Sequence, residues 1–277
     1  MNNKVPLLDG NDIPLIGLSS FCCNSVKETS NVIKTALELG IRSFEISELF
    51  GNGHTIIESI INSGIKREEV YITYKIWPKE RGPKDIVLAC LDCLSSAGLT
   101  SVDMLILHGP LDIINGFDQW RAFEYLQTEG MTKSIGLADY SEKQLTEVLK
   151  NSTGGGPSVC MMESTPFRAE TELTGFCNDG GIVVLNNNPL GKNYKVNDPL
   201  LVEISNTCGV SPNQLLLKWA ITNGHSILLS PQTIMDNDII NFDDISSKLP
   251  DNVVSQLEGL DLALKTSYVT REIAQDD

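Results

Sequence analysis

The chain has 277 residues, a formal net charge of -15, 41% hydrophobic and 21% charged side chains, a composition that suits a soluble globular protein with a sizeable core. A negative field of that size repels phosphate backbones and anionic lipid surfaces, which sets nucleic acid and membranes aside as partners. The opening residues Met1 to Gly10 hold no basic segment followed by an apolar run, and no stretch reaches spanning length, so the expectation is one cytoplasmic domain over 1–277.

Val5 to Leu15 reads as two short apolar arms around an Asp9-Gly10 turn, a hairpin placed ahead of everything else. Strand-length apolar runs then alternate with longer segments of helical period. The strands are expected at Leu15–Leu18, Ser43–Ile46, Val70–Tyr74, Met104–Leu107, Ser134–Leu137, Val159–Met162, Ile182–Leu185 and Ser226–Leu229. Helices are expected near 26–39, 54–64, 84–98, 117–129, 141–150, 168–177 and 211–222, with more helix near 199–208 and 250–263. Strand–helix alternation repeated eight times predicts an α/β fold of the (β/α)8 TIM-barrel class, its bottom plugged by the N-terminal hairpin. An open doubly wound sheet is the alternative. Gly154-Gly155-Gly156 before Pro157 reads as a flexible loop entering a strand, because no helix follows it to make a phosphate cradle.

Seven cysteines, Cys22, Cys23, Cys90, Cys93, Cys160, Cys177 and Cys208, are an odd number spread through a large core and read as reduced thiols. Cys90 and Cys93 form a C-x-x-C inside a helix rather than at its start, which favours packing over redox chemistry. No second pair completes a zinc site, so no metal is expected.

In a closed parallel barrel the carboxyl ends of the strands converge on one mouth, the place where this fold carries its chemistry. Those ends hold Glu45, Lys75, His108, Ala138-Asp139, Met161 with Glu163, Asn187-Asn188 and Ser230-Pro231.

Several of these segments resemble the aldo-keto reductases. Gly40-Ile41-Arg42-Ser43-Phe44-Glu45-Ile46-Ser47-Glu48-Leu49-Phe50-Gly51-Asn52 is similar to the family's G-x-R-x-x-D-T-A-x-x-Y-G-N signature. Tyr71 to Trp77 resembles the strand bearing the family lysine, and Asp103 to Pro110 the D-L-x-L-I-H-x-P strand; Ser134 to Leu137, Pro157 to Val159, Glu163, Pro166, Gly181 to Val184 and Pro189-Leu190-Gly191 follow in order. The resemblance implies a reductase in which a tyrosine protonates a carbonyl while nicotinamide delivers hydride, assisted by a lysine, an aspartate and a histidine. Carried onto this chain, the lysine is Lys75 and the histidine His108, while Glu45 stands at the aspartate and Phe50 at the tyrosine.

Phenylalanine has no proton to give. The family's Ser-Asn pair for the nicotinamide carboxamide corresponds to Ala138-Asp139, its glutamine to Met161, and its stacking tyrosine to Asn187. From Ser230 onward, where the resemblance expects cations for the adenosine 2′-phosphate, there is no Lys or Arg between Lys218 and Lys248. Glu48 turned inward, or a protonated His108, would be substitute donors; Tyr74 alternates with Lys75 and should face the helices.

The leading expectation is therefore an aldo-keto-reductase-like pseudoenzyme without a bound cofactor, serving as a binding, regulatory or structural subunit with a protein or small-molecule partner. The alternatives are an NAD(P)H-dependent carbonyl reductase, with NADP(H) as the family's cofactor, or a nicotinamide-independent lyase or isomerase using Lys75, His108 and Glu45. A small-molecule binder with a mouth lined by Met161, Met162, Trp77 and Phe50 is a third reading. Against all of them stand bland assignments: a structural buried ion pair for Glu45 and Lys75, and a hydrogen-bonded core histidine for His108.

Overall fold

The computed structural model describes residues 4–19, 25–77, 82–109, 113–236 and 245–264; Cys22, Cys23, Pro110 and Asn237-Asp238 lie outside them. Strands β1 (Lys4–Pro6) and β2 (Asp12–Pro14) form an antiparallel hairpin with Val5 opposite Ile13. Eight parallel strands follow: β3 (Ile16–Leu18), β4 (Ser43–Ser47), β5 (Tyr71–Ile76), β6 (Val102–His108), β7 (Thr132–Ala138), β8 (Val159–Met162), β9 (Val183–Asn186) and β10 (Ser226–Leu229). They close in the order β10-β3-β4-β5-β6-β7-β8-β9, so the barrel replaces the open-sheet alternative.

The helices between them start where the sequence supplies a cap. The Ser25 side chain accepts from Glu28 N at the head of α1 (Val26–Glu38), and reciprocal Ser–Gln capping boxes open α5 (Glu142–Asn151) and α8 (Pro212–Thr222). Asp198 caps α7 (Pro199–Cys208), with proline at the first helical position and Gly209 beyond the last, at φ 68°. The remaining helices are α2 (Gly53–Asn62), α3 (Pro83–Ser96), α4 (Ile113–Thr128), α6 (Thr171–Asp179), the short α9 (Pro231–Met235) and α10 (Asp251–Glu258).

Because helices cover the outside and side chains fill the inside, the strands are buried on both faces and sort their residues by parity. Phe44, Ile46, Ile72, Tyr74, Leu105, Leu107, Ile135, Leu137, Cys160 and Met162 join the layer between barrel and helices. Met104, Ile106, Ala138, Val159, Met161, Leu185 and Leu228 fill the interior together with Leu7 and Ile13 of the hairpin. Each buried aliphatic side chain of this kind contributes roughly 1.5–3 kcal/mol. The interior is tight enough that a Cβ on Gly136 would lie 2.8 Å from the Val159 carbonyl oxygen, so only glycine fits there.

The hairpin sits at the amino ends of the strands. Asn11 Nδ2 donates to Lys133 O and Ser134 Oγ, both at 3.3 Å, and Ser158 Oγ donates to Asp9 at 2.9 Å. At the same end Asp103, the first residue of the His108 strand motif, accepts from Ile72 N and pairs with Arg67 and Lys133 at 2.8 and 2.7 Å. That aspartate ties strands at the bottom and takes no part in the mouth.

The glycine-rich loop before β8 is not slack at its start. The Glu124 carboxylate accepts from Ser152 Oγ, from Thr153 N and Oγ1, and from Gly154 N, and these bonds hold it below the usual carboxylate range. The five described cysteines are free thiols; burial pushes Cys90 to about 11 and Cys93 to about 12, in keeping with packing rather than reactivity.

His225, just ahead of β10, is buried with neither ring nitrogen hydrogen-bonded, its ring edge-on to Trp219 at 6.0 Å. Burial lowers it from 6.5 to about 4. Above pH 6.5 the imidazole is neutral in both folded and unfolded chains and stability is full; between 6.5 and 4 the unfolded chain alone takes up the proton, so stability falls as pH drops. The loss is on the order of 3 kcal/mol by pH 4. Urea unfolding from pH 7 to 4.5 should show this decline in the parent, and His225→Phe should flatten it; equal slopes would disprove the assignment.

Candidate functional site

A cavity of about 980 Å³ opens at the carboxyl ends of the strands, with Phe50, Lys75, His108, Asp139, Asn187 and Ser230 among its lining residues. Parity puts them there. On β4 the outward Phe44 and Ile46 leave Glu45 inward, and on β5 the outward Ile72, Tyr74 and Ile76 leave Lys75 inward. His108 ends β6 and shares the inner face of Met104 and Ile106.

Glu45 and Lys75 form an ion pair at 3.2 Å, with side-chain exposures of 1% and 11%. Ser19 Oγ donates to the second carboxylate oxygen at 3.1 Å, and Lys75 Nζ lies 3.9 Å from the sulfur of Met161. A carboxylate sealed from water costs several kcal/mol unless paired and hydrogen-bonded, and this one is both. The extra methylene of glutamate relative to aspartate is accommodated without loss of the contact.

His108 and Asp139 form a second pair, with Nε2 2.9 Å from Oδ2. Trp77 packs edge-on against the imidazole, ring centroids 4.3 Å apart, and His108 Nδ1 is sealed from solvent with no hydrogen-bond partner. Asp139 adopts a left-handed backbone, φ 61°, and its amide donates to Met161 O at 3.0 Å. Aspartate is one of the few non-glycine residues that visits this region readily.

Phe50 lies in the short 3-10 turn Glu48–Phe50, and its ring lines the cavity with Lys75. Asn187, directly after β9, and Ser230, which caps α9 by accepting from Thr233 N, also face it.

Other expected positions lie elsewhere. Glu48 turns away from the mouth: its carboxylate accepts from Trp77 N at 3.2 Å and borders a crevice with Tyr74 and Cys93, so it is no substitute donor there. Tyr74 faces the helices as expected, where burial raises its phenol above the usual range. Met161 and Ala138 point inward but are buried beneath the cavity, and Glu163 is buried too. Met162 faces the opposite way, into the outer layer, and Trp77 is covered by packing on His108; of the four side chains expected to line an apolar pocket only Phe50 does so. A strand shows its neighbours alternately to the two sides, so Met161 and Met162 could never share one pocket.

Two cations escaped the sequence reading. Lys27 and Lys192 line the cavity, one from the first turn of α1 and one from the turn after Pro189-Leu190-Gly191. Lys192 has φ 52°, and its amide donates to Asn188 Oδ1 at 3.1 Å. Only the proline-glycine punctuation hinted at such a turn, and it gave no direction for the side chain. Among the described residues no cluster of three or more His, Cys, Asp or Glu could hold a metal ion. Among the same residues no helix is long and apolar enough to cross a membrane.

Residues 16–261 match the Aldo/keto reductase family. An uncharacterized oxidoreductase of Saccharomyces cerevisiae is 30% identical, the alignment covering 82% of this chain and 84% of the yeast protein. A glyoxal reductase of Bacillus subtilis is 28% identical, with 88% and 87% covered. The crystal structure of an aldo/keto reductase from Brucella melitensis superposes with a TM-score of 0.86 at 28% identity, over 94% of this chain and all of that one.

Removing one partner of the Glu45–Lys75 pair should cost far more than removing both. Lys75→Met is expected to lower the free energy of urea unfolding by roughly 3–5 kcal/mol, and Lys75→Met with Glu45→Gln to recover most of it. A double variant no more stable than the single would contradict the pairing.

Proposed function

The chain belongs to the aldo/keto reductase family, and from that premise we propose that it has left the family's tyrosine-dependent carbonyl reduction and uses the barrel mouth to bind a small polar molecule. The observation that carries this reading is Phe50: an oxygen-free ring lines the cavity with Lys75, where the resemblance places the proton donor. General acid assistance is worth about 10²–10⁴-fold in rate, and its loss alone takes reduction down by that much.

The residues toward NADP(H) support the same reading. A nicotinamide carboxamide needs both a donor and an acceptor, and at the position assigned to asparagine Asp139 offers a carboxylate already engaged with His108. Asn187 presents no ring on which nicotinamide could stack, and Met161 is wholly buried beneath the cavity. The stretch from Ser230 to Ser247 carries no basic residue for a 2′-phosphate. On this reading the residues do not fit the dinucleotide. The protein would then act as a binding, regulatory or structural subunit, in a cytoplasm that keeps its cysteines reduced.

A second reading keeps the chain an oxidoreductase, as its yeast relative is named, with NAD(P)H as the cofactor. It is favoured by Lys75 and His108 lining one mouth, with Lys75 still paired to an acidic residue.

Titrating NADPH and NADH against the intrinsic tryptophan fluorescence separates the two. The expected result is no saturable quenching by either; submicromolar binding would sink the proposal. Phe50→Tyr is expected to stay silent in carbonyl reduction, whereas a gain of about 10²-fold over the parent would show that the mouth still takes the dinucleotide and would overturn the cofactor half of the proposal.

A further inference from the structure

The mouth contains two hydrogen-bonded acid–base pairs, and the second is built around a residue for which the carbonyl-reduction reading has no use. We propose that Asp139 is a general base, positioned by His108, and that with Lys75 it moves a proton within a small α-hydroxy carbonyl compound without nicotinamide. This rests on the reading of the mouth as a small-molecule site that holds no dinucleotide.

Strand register brings the parts together. Lys75 pairs with Ile106 and His108 with Ala138, so Lys75 and His108 project inward from neighbouring parallel strands one pleat apart. Asp139 follows Ala138 directly and is fixed by the hydrogen bond that its backbone N–H donates to Met161 O. All three side chains line the one cavity.

The hydrogen-bond inventory assigns the roles. His108 Nδ1 is sealed off without a partner, so a proton there would be a buried unsatisfied donor; the tautomer with hydrogen on Nε2 satisfies the contact to Asp139. The imidazole thus presents no open nitrogen to a ligand and acts as the positioning residue. The carboxylate, with its side chain 18% exposed, is the group that reaches the cavity. Lys75 has three ammonium hydrogens and directs one at Glu45 and a second, weakly, at the Met161 sulfur, leaving a third for an oxyanion.

A base beside a held cation is the arrangement that proton abstraction next to a carbonyl needs. Asp139 takes the proton from the carbon bearing the hydroxyl group, the C–H electron pair becomes the carbon–carbon π bond, and the carbonyl oxygen takes the negative charge against Lys75. Asp139 then returns the proton to the former carbonyl carbon while the hydroxyl proton passes between the two oxygens. The product is the isomeric hydroxy carbonyl compound, with no electrons gained or lost. Ser47, Asn187 and Asn188 on the cavity wall provide polar groups for the remaining hydroxyls.

The test is proton NMR of dihydroxyacetone and of glyceraldehyde in deuterated water with the purified full chain and no nicotinamide. Deuterium should enter at carbon faster than in buffer, and Asp139→Asn, whose side chain also tolerates the left-handed backbone, should cut that rate by about 10²-fold or more. His108→Gln, which keeps a donor for the carboxylate, should retain much more of the rate than His108→Leu at similar melting temperature, an ordering a purely structural role would not produce. Should Asp139→Asn fail to fold, that histidine pair decides the matter. Exchange no faster than buffer, or undiminished in Asp139→Asn, overturns the proposal. Saturation-transfer NMR of the same two probes separates the failures: binding without exchange sinks the proton transfer alone, while NADPH quenching of tryptophan fluorescence sinks the reading beneath it.

Discussion

A strand covered on both faces has no solvent side on which to place a charge, so every ionisable residue of inward parity must find its partner inside the barrel. That constraint organises the mouth. Glu45 on β4 and Lys75 on β5 satisfy one another at 3.2 Å, and Ser19 takes the remaining carboxylate oxygen. Below them Met104, Ile106, Val159, Met161, Leu185 and Leu228, capped by Leu7 and Ile13 of the hairpin, form an apolar cluster whose side chains offer no charge to pair with. The polar layer sits on an apolar plug, and the cavity begins where that plug ends.

His108 shows the same constraint acting one pleat higher. Its ring is wedged against Trp77, one nitrogen is sealed, and the other is held by a carboxylate on a left-handed backbone. On the proposed reading, the carboxylate of Asp139 matters to the mouth as much as the oxygen-free ring of Phe50 does: one offers a proton acceptor, the other no proton donor. Fold and family alone do not fix what such a site does.

The sequence made much of the architecture legible. Val159–Met162 and Ser226–Leu229 coincide with the observed strands, and the other barrel strands differ by one or two residues at their ends, because short runs of apolar residues between turn signals are a local property. The N-caps at Ser25, Ser141 and Ser211 are equally local. Side-chain direction was legible where strand parity was applied, Lys75 in and Tyr74 out, and was missed on a strand only where it was not, as with Met162 beside Met161. It failed where a loop decided it, as with Glu48, which turns outward to the Trp77 amide, and with Lys27 and Lys192, which reach the cavity from turns.

What the residues determined unaided is a closed β/α barrel with Phe50 in the stretch that resembles the family's signature, since pattern and motif are both carried in the order of the chain. Only the tertiary structure decided that Asp139 meets His108, that Met161 lies under the cavity rather than on its wall, and that distant lysines share it. Those facts depend on how eight strands stagger around one axis, a relation between segments far apart in sequence that no local preference encodes.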